Sequence, residues 1–265
     1  MAASSNEQRE SSPVAILSAL LALVACDPNV VIGAVRPDGR GSAGAGGAAT
    51  PGGGGGATLL FEARHEVDLS EWTSDGSDEG YLYCPADLAV VTTARAHSGN
   101  GSVRISIDTA GGATPICQML RHTPSARAYY GAWFFVEQDH EAFDWWTIFF
   151  FKTKTTSHWD LGMYRDGYTS FGLYDHGQNE SSFAPAMPRL PIARWFHIEA
   201  YLAYAPDMPT ELEIWLDGTS MLRLTLDEAP SDLFWGLGNE AGGLSPSEST
   251  LYIDDVTISP SRLGP

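Results

Sequence analysis

Lysine is almost missing from this chain: Lys152 and Lys154 are the only two, and every other basic side chain is arginine. Lys and Arg together number 15 against 33 Asp and Glu, for a formal net charge of -18. Binding to a nucleic-acid backbone needs clustered cations, so that class of function is excluded. Anionic lipid and strongly anionic polymers are repelled as well, unless charge is segregated on the surface. Long apolar runs are also lacking. The longest, Val14 to Ala25, is too short to cross a bilayer, which takes about 20 residues. No HExxH or HxH spacing marks a transition-metal site, and no GxSxG marks a serine hydrolase. The glycine run Gly52–Gly56 is not followed by Gly-Lys-Ser/Thr, so it is no phosphate loop. Aromatic residues are absent before Phe61, although 8 Trp, 10 Tyr and 11 Phe follow. The chain therefore joins a foreign N-terminal segment to one aromatic-rich, acidic body.

That segment reads as an address. Val14 to Ala25 fits the apolar region of a signal peptide. It ends in Leu23-Val24-Ala25-Cys26, which resembles the bacterial lipoprotein lipobox. The resemblance implies cleavage after residue 25, lipidation of Cys26, export, and a membrane contact made through that anchor alone, at the cell surface or facing the periplasm. An ordinary secretory signal followed by a chance cysteine is the alternative. Residues 26–57 hold the run GRGSAGAGGAATPGGGGGA, which has too little apolar surface to fold and reads as a flexible tether. Cys84 and Cys117 are the remaining cysteines. In an oxidising compartment they are expected to pair, closing a loop worth roughly 3–4 kcal/mol; two buried free thiols are the alternative.

From residue 58 on, no segment sustains a helical apolar period. Short β-branched and aromatic runs recur instead, at 58–63, 89–95, 101–107, 116–121, 129–136, 147–152, 159–164, 170–174, 195–202, 211–216, 221–226 and 250–258. Gly, Pro, Asp and Asn separate them, and Asp217-Gly218 is a tight-turn signal. The expectation is an all-β domain over 58–265, a two-sheet antiparallel β-sandwich of jelly-roll type.

The segments ARWFHIEAYL, ELEIWLDG, STLYIDDVTIS and ARAHSGNGSVRISI, with YYGAWFFV and WDLGMYRDGYTSFGLYD between them, resemble the concanavalin A-like lectin/glucanase superfamily in kind and order. That superfamily includes laminin G-like modules, carbohydrate-binding jelly rolls, glucanases and polysaccharide lyases. The resemblance implies a glycan held on one sheet face. It also implies a structural Ca²⁺ held by Glu62, the 97–101 loop and Asp254 or Asp255, a hard-oxygen set suited to that ion. In such jelly rolls a lyase often carries Gln and then His on the central strand, whereas here 148–152 reads Ile-Phe-Phe-Phe-Lys.

Strand alternation supplies candidate residues directly. His158, Asp160 and Tyr164 share one side of their strand, Tyr174 and His176 one side of the next, and His197, Glu199 and Tyr201 one side of a third. Rings stack on sugar faces and polar groups bond hydroxyls, so His158, Asp160, Tyr164, Tyr174 and His176 are the carbohydrate-binding candidates. Solvated face residues are the plain alternative. For β-elimination at a uronate, Arg121, His158, Tyr164 and His176 supply the neutralising and proton-abstracting residue types. The spacing Glu66-x-Asp68-x-x-Glu71 matches a retaining glucanase signature, but it follows the first strand directly, where a turn is expected. The reading that ranks first is non-catalytic binding of a polysaccharide or surface glycan, neutral because the body itself is acidic. A polysaccharide lyase or glucanase on the same fold is the alternative, and a laminin G-like protein-interaction domain the third.

Overall fold

The computed structural model describes residues 58–72, 80–85, 87–123, 125–164, 171–177, 180–182, 189–205, 208–226 and 231–265. The leader, Cys26 and the tether lie outside them. Seventeen strands are described: β1 Phe61–Ala63, β2 Gly80–Tyr83, β3 Ala89–Thr92, β4 Ser102–Asp108, β5 Ile116–His122, β6 Arg127–Val136, β7 Glu141–Ala142, β8 Trp145–Lys152, β9 Ser157–Tyr164, β10 Phe171–Asp175, β11 Glu180–Ser182, β12 Trp195–Ala205, β13 Met208–Leu216, β14 Thr219–Leu226, β15 Phe234–Ala241, β16 Leu244–Ser245 and β17 Glu248–Ser259. Sheet I runs β14-β13-β12-β6-β17-β4-β3, with β1 also on β17. Sheet II runs β11-β10-β9-β8-β15-β5-β2, and β16 pairs with β7. All pairings between these strands are antiparallel. This is the expected two-sheet sandwich.

The core is what the alternation dictates. Phe196, Ile198, Ala200 and Leu202 of β12, and Tyr130, Ala132, Phe134 and Val136 of β6, face Phe149, Phe151, Trp159, Leu161, Trp235 and Leu237 of sheet II, all fully buried. The Tyr130 ring meets Phe151 at 5.2 Å and Trp235 at 5.3 Å, between the sheets. Such aromatic contacts add to the area term that dominates a sandwich core.

Cys84 and Cys117 form the expected disulfide, which ties the end of β2 to β5. At the other edge of the core, β17 changes partner. Its first half pairs with β4, its last residues with β1, and the register slips between Asp254 and Thr257. Asp255, within this bulge, has a positive φ of 45°.

Candidate functional site

The outer face of sheet II is built from the residues that alternate away from the core. β9 and β10 are neighbours, with Tyr174 opposite Asp160 and the His176 N–H on the His158 carbonyl at 2.9 Å. The sheet therefore brings together four of the five expected carbohydrate-binding residues, His158, Asp160, Tyr174 and His176. The fifth, Tyr164, ends β9, and its side chain lies outside the described residues. Across β8, β15 and β5 the same face continues through Phe150, Gly236 and Leu120, in register with Asp160.

Two polar constellations sit on this face. In the first, His176 Nε2–H donates to Asp160 Oδ2 at 2.7 Å. Asp160 is buried and His176 exposed, so the carboxylate fixes the ring through Nε2 and leaves Nδ1 outside that bond. The Tyr174 ring stands edge-on to His176, centroids 4.8 Å apart. In the second, Gln118 Nε2–H donates to Glu240 Oε2 at 2.6 Å, and Lys152 Nζ donates to Gln118 Oε1 at 3.3 Å. Gln118 and Glu240 are buried, while Lys152 is half-buried. Burial, and then the charge of Asp160, push the Glu240 carboxyl up to about 8 against the opposing Gln118 bond and Lys152. A carboxyl so placed is neutral at pH 7. The site is thus a buried polar floor, Gln118, Glu240 and Asp160, beneath a rim of Lys152, His158, Tyr174 and His176. Tyr83, 48% exposed and opposite Gln118 in register, stands at the β2 end.

Neither Gln118 nor Glu240 was among the sequence candidates. Gln118 left a signal, a lone amide inside the apolar run Ile-Cys-Gln-Met-Leu. Glu240 left none, because its strand was not recognisable.

Other expectations part from this face. Arg121 alternates to the opposite side of β5, where its guanidinium covers the Phe61 ring at 4.3 Å and Nη1 donates to the Glu71 carbonyl at 3.3 Å. It packs the sandwich edge and does not join His158 and His176. His197, Glu199 and Tyr201 face outward as expected, but on sheet I. His197 and Glu199 are buried there. The C-terminal tail covers Glu199: Arg262 Nε donates to Oε2 at 2.9 Å, and the Leu263 and Gly264 N–H groups reach Oε1 at 3.0 and 3.2 Å. The Glu66, Asp68 and Glu71 spacing lies in the segment after β1, off the sheet II face. Glu66 accepts the Asn100 N–H at 2.8 Å and Asp68 the Ser70 N–H at 3.0 Å, both holding turns.

The calcium set does not fit the ion as these residues stand. Asp254 Oδ2 accepts the His97 and Ser98 N–H groups at 2.8 and 3.2 Å, and Oδ1 the Asp255 N–H at 2.8 Å. Asp255 takes the Ser98 hydroxyl and His97 Nδ1–H, each at 2.7 Å. Donors already occupy the directions a cation would take. Glu62 is exposed and paired with Arg64 at 2.7 Å. Among the described residues, no group of three or more His, Cys, Asp or Glu is spaced to hold a metal.

No family model and no curated protein matches the chain in sequence. Solved structures match it in shape. An endo-β-1,4-glucuronan lyase from the fungus Trichoderma reesei superposes with a TM-score of 0.56 at 10% identity, over 77% of this chain and 96% of that one. The cellulose-induced protein Cip1 gives 0.54 at 16% identity, over 69% and 92%. A variant of the alginate lyase Aly36B, in complex with an alginate trisaccharide, gives 0.50 at 11% identity, over 69% and 88%. The chain shares the fold of these structures, a two-sheet jelly-roll β-sandwich. At these identities the likeness is one of fold, and function has to be argued from the site.

Proposed function

We propose that this protein is a polysaccharide lyase that holds a uronate-containing chain across the outer face of sheet II and cleaves it by β-elimination. The observation that carries the reading is the His176–Asp160 pair on the same sheet face as Lys152. Imidazole Nδ1, oriented by the Asp160 bond at Nε2, takes the C5 proton of a uronate. The C5–H electron pair forms the C4=C5 double bond, the C4–O4 bond breaks, and the imidazolium returns its proton to the departing oxygen. The Lys152 ammonium supplies positive charge for the uronate carboxylate, which acidifies C5. The net charge alone pointed to a neutral glycan; a lysine whose hydrogen bond goes to an amide rather than to a carboxylate supports an anionic one. The fold shared with a glucuronan lyase and an alginate lyase supports the same reading over non-catalytic binding.

Residues 58–265 incubated with glucuronan, alginate and a neutral β-glucan should release an ultraviolet-absorbing unsaturated product from a uronate polymer only. His176→Ala should lower kcat by roughly 10²–10⁴-fold, the range for losing a general base. Binding without product from any polymer would return the protein to the non-catalytic reading. The proposal extends to location: Cys26 carries the lipid that anchors the domain. Fatty-acid labelling of the expressed full chain should disappear in Cys26→Ser, and labelling that survives would end that part.

A further inference from the structure

The buried acid beneath Lys152 has no part in the chemistry above, although it is joined to the lysine through Gln118. We infer that Glu240 is a positioning residue that gates Lys152: while its carboxyl is neutral, the Gln118 relay holds the ammonium toward the ligand with its charge uncompensated, and when the carboxyl ionises it takes that charge for itself. The inference rests on the proposed binding of an anionic chain at this face.

Three observations carry it. The relay is continuous, with Lys152 Nζ on Gln118 Oε1 at 3.3 Å and Gln118 Nε2 on Glu240 Oε2 at 2.6 Å. Because the amide oxygen receives the ammonium, its nitrogen must donate to Glu240, so Oε2 is the accepting oxygen and the acid's proton sits on Oε1. Second, the carboxyl is buried beside Asp160, an arrangement that opposes a second negative charge and explains the value near 8. Third, the ionisable groups that face it among the described residues can be named. β8 offers Lys152, with Lys154 just beyond it over the Phe234 ring at 5.8 Å; β9 offers His158 and Asp160, β10 Tyr174 and the turn after it His176, β2 Tyr81 and Tyr83, and the far end of β5 His122 with its partner Asp232; Asp144 lies beyond the end of β15, against Gly242. Of these, Asp160 raises the Glu240 carboxyl and Lys152 lowers it. Raising pH through the Glu240 transition therefore adds a negative charge at the buried end of the relay that holds Lys152.

The sequence makes this directly observable. With only Lys152 and Lys154 present, protein labelled at the lysine side chains gives two ammonium-adjacent resonances. The Lys152 resonance should shift with a midpoint near pH 8 in the wild type, and should not in Glu240→Gln, whose amide keeps the Gln118 bond without a charge. In parallel, oligomers of glucuronate and of alginate should bind the wild type at least tenfold more weakly at pH 9 than at pH 7. Glu240→Gln should hold its affinity across that range, and Lys152→Met should bind weakly at both. A Lys152 resonance that does not move near pH 8, or an unchanged alkaline loss in Glu240→Gln, overturns the gate. A moving resonance with no binding of either oligomer overturns the polyuronate reading instead, and leaves the coupled pair standing.

Discussion

His65 shows how far a single side chain can be read from its neighbours. It follows β1 with a positive φ of 54°, is fully buried, and its Nε2 accepts the Trp72 indole N–H at 2.8 Å. The neutral ring must then carry its proton on Nδ1, which has no hydrogen-bond partner among the described residues. A second proton would have to go onto Nε2, against the indole N–H. Burial accordingly pushes the His65 pKa down to about 4. Unfolded, the ring titrates near 6.5, so between about pH 6.5 and 4 the unfolded chain binds a proton that the native state refuses. Stability is therefore fully present above 6.5 and lost as pH falls through that window, by about 2–3 kcal/mol at pH 4.5. Urea unfolding at pH 7 and pH 4.5 should show that extra acid loss in the wild type and not in His65→Gln. Equal losses in both would remove His65 from the acid transition. Nothing in the sequence marked this residue, because its partner, seven positions on, lies in a segment that reads as a turn.

At the scale of elements, the strands were legible where side chains alternate and illegible where glycine replaces them. Each of the twelve expected runs contains a strand, because runs such as Glu-Leu-Glu-Ile-Trp-Leu put one apolar face inward over their whole length. β15 was missed. Phe-Trp-Gly-Leu-Gly-Asn-Glu-Ala reads as a turn by composition, yet it lies between β8 and β5 and every residue in it is buried. Its glycines are there for close approach: a Cβ on Gly238 would run into the Cys117 carbonyl oxygen, and one on Gly236 into the Phe150 ring. The neighbour of Gly238 is backbone and cannot swing aside, so Gly238→Ala should destabilise by roughly 1–3 kcal/mol, the cost of overpacking a tight interior. A lowered urea midpoint with an unchanged slope is the expected result, and an unmoved midpoint would show that β5 shifts freely. The same blindness hid half the site, since Glu240 rides on this strand. Sheet membership was the other gap. Alternation placed His197, Glu199 and Tyr201 outward correctly, but only the pairing of β12 with β6 puts them on sheet I, away from His176, with Glu199 under the C-terminal tail.

For the whole molecule, charge and site pull in opposite directions. All but four of the 33 acids and all but three of the 15 bases lie from residue 58 on, so the excess negative charge belongs to the body that carries the site. A polyuronate approaching it meets a repulsive field that extends about 30 Å at 0.01 M salt and about 8 Å at 0.15 M. The attraction to Lys152 acts over a few ångströms, at a half-buried group that salt screens far less. Raising ionic strength should therefore remove the repulsion while sparing the contact, so that a uronate oligomer binds more tightly at about 0.15 M than at about 0.01 M, chiefly through a faster on-rate. A cationic cleft gives the reverse dependence, as counterion release does for nucleic-acid binders. Stopped-flow association of a glucuronate oligomer across that salt range separates the two. A rate that falls with salt would mean that Lys152 and its neighbours form a basic surface strong enough to outweigh the field of the whole domain.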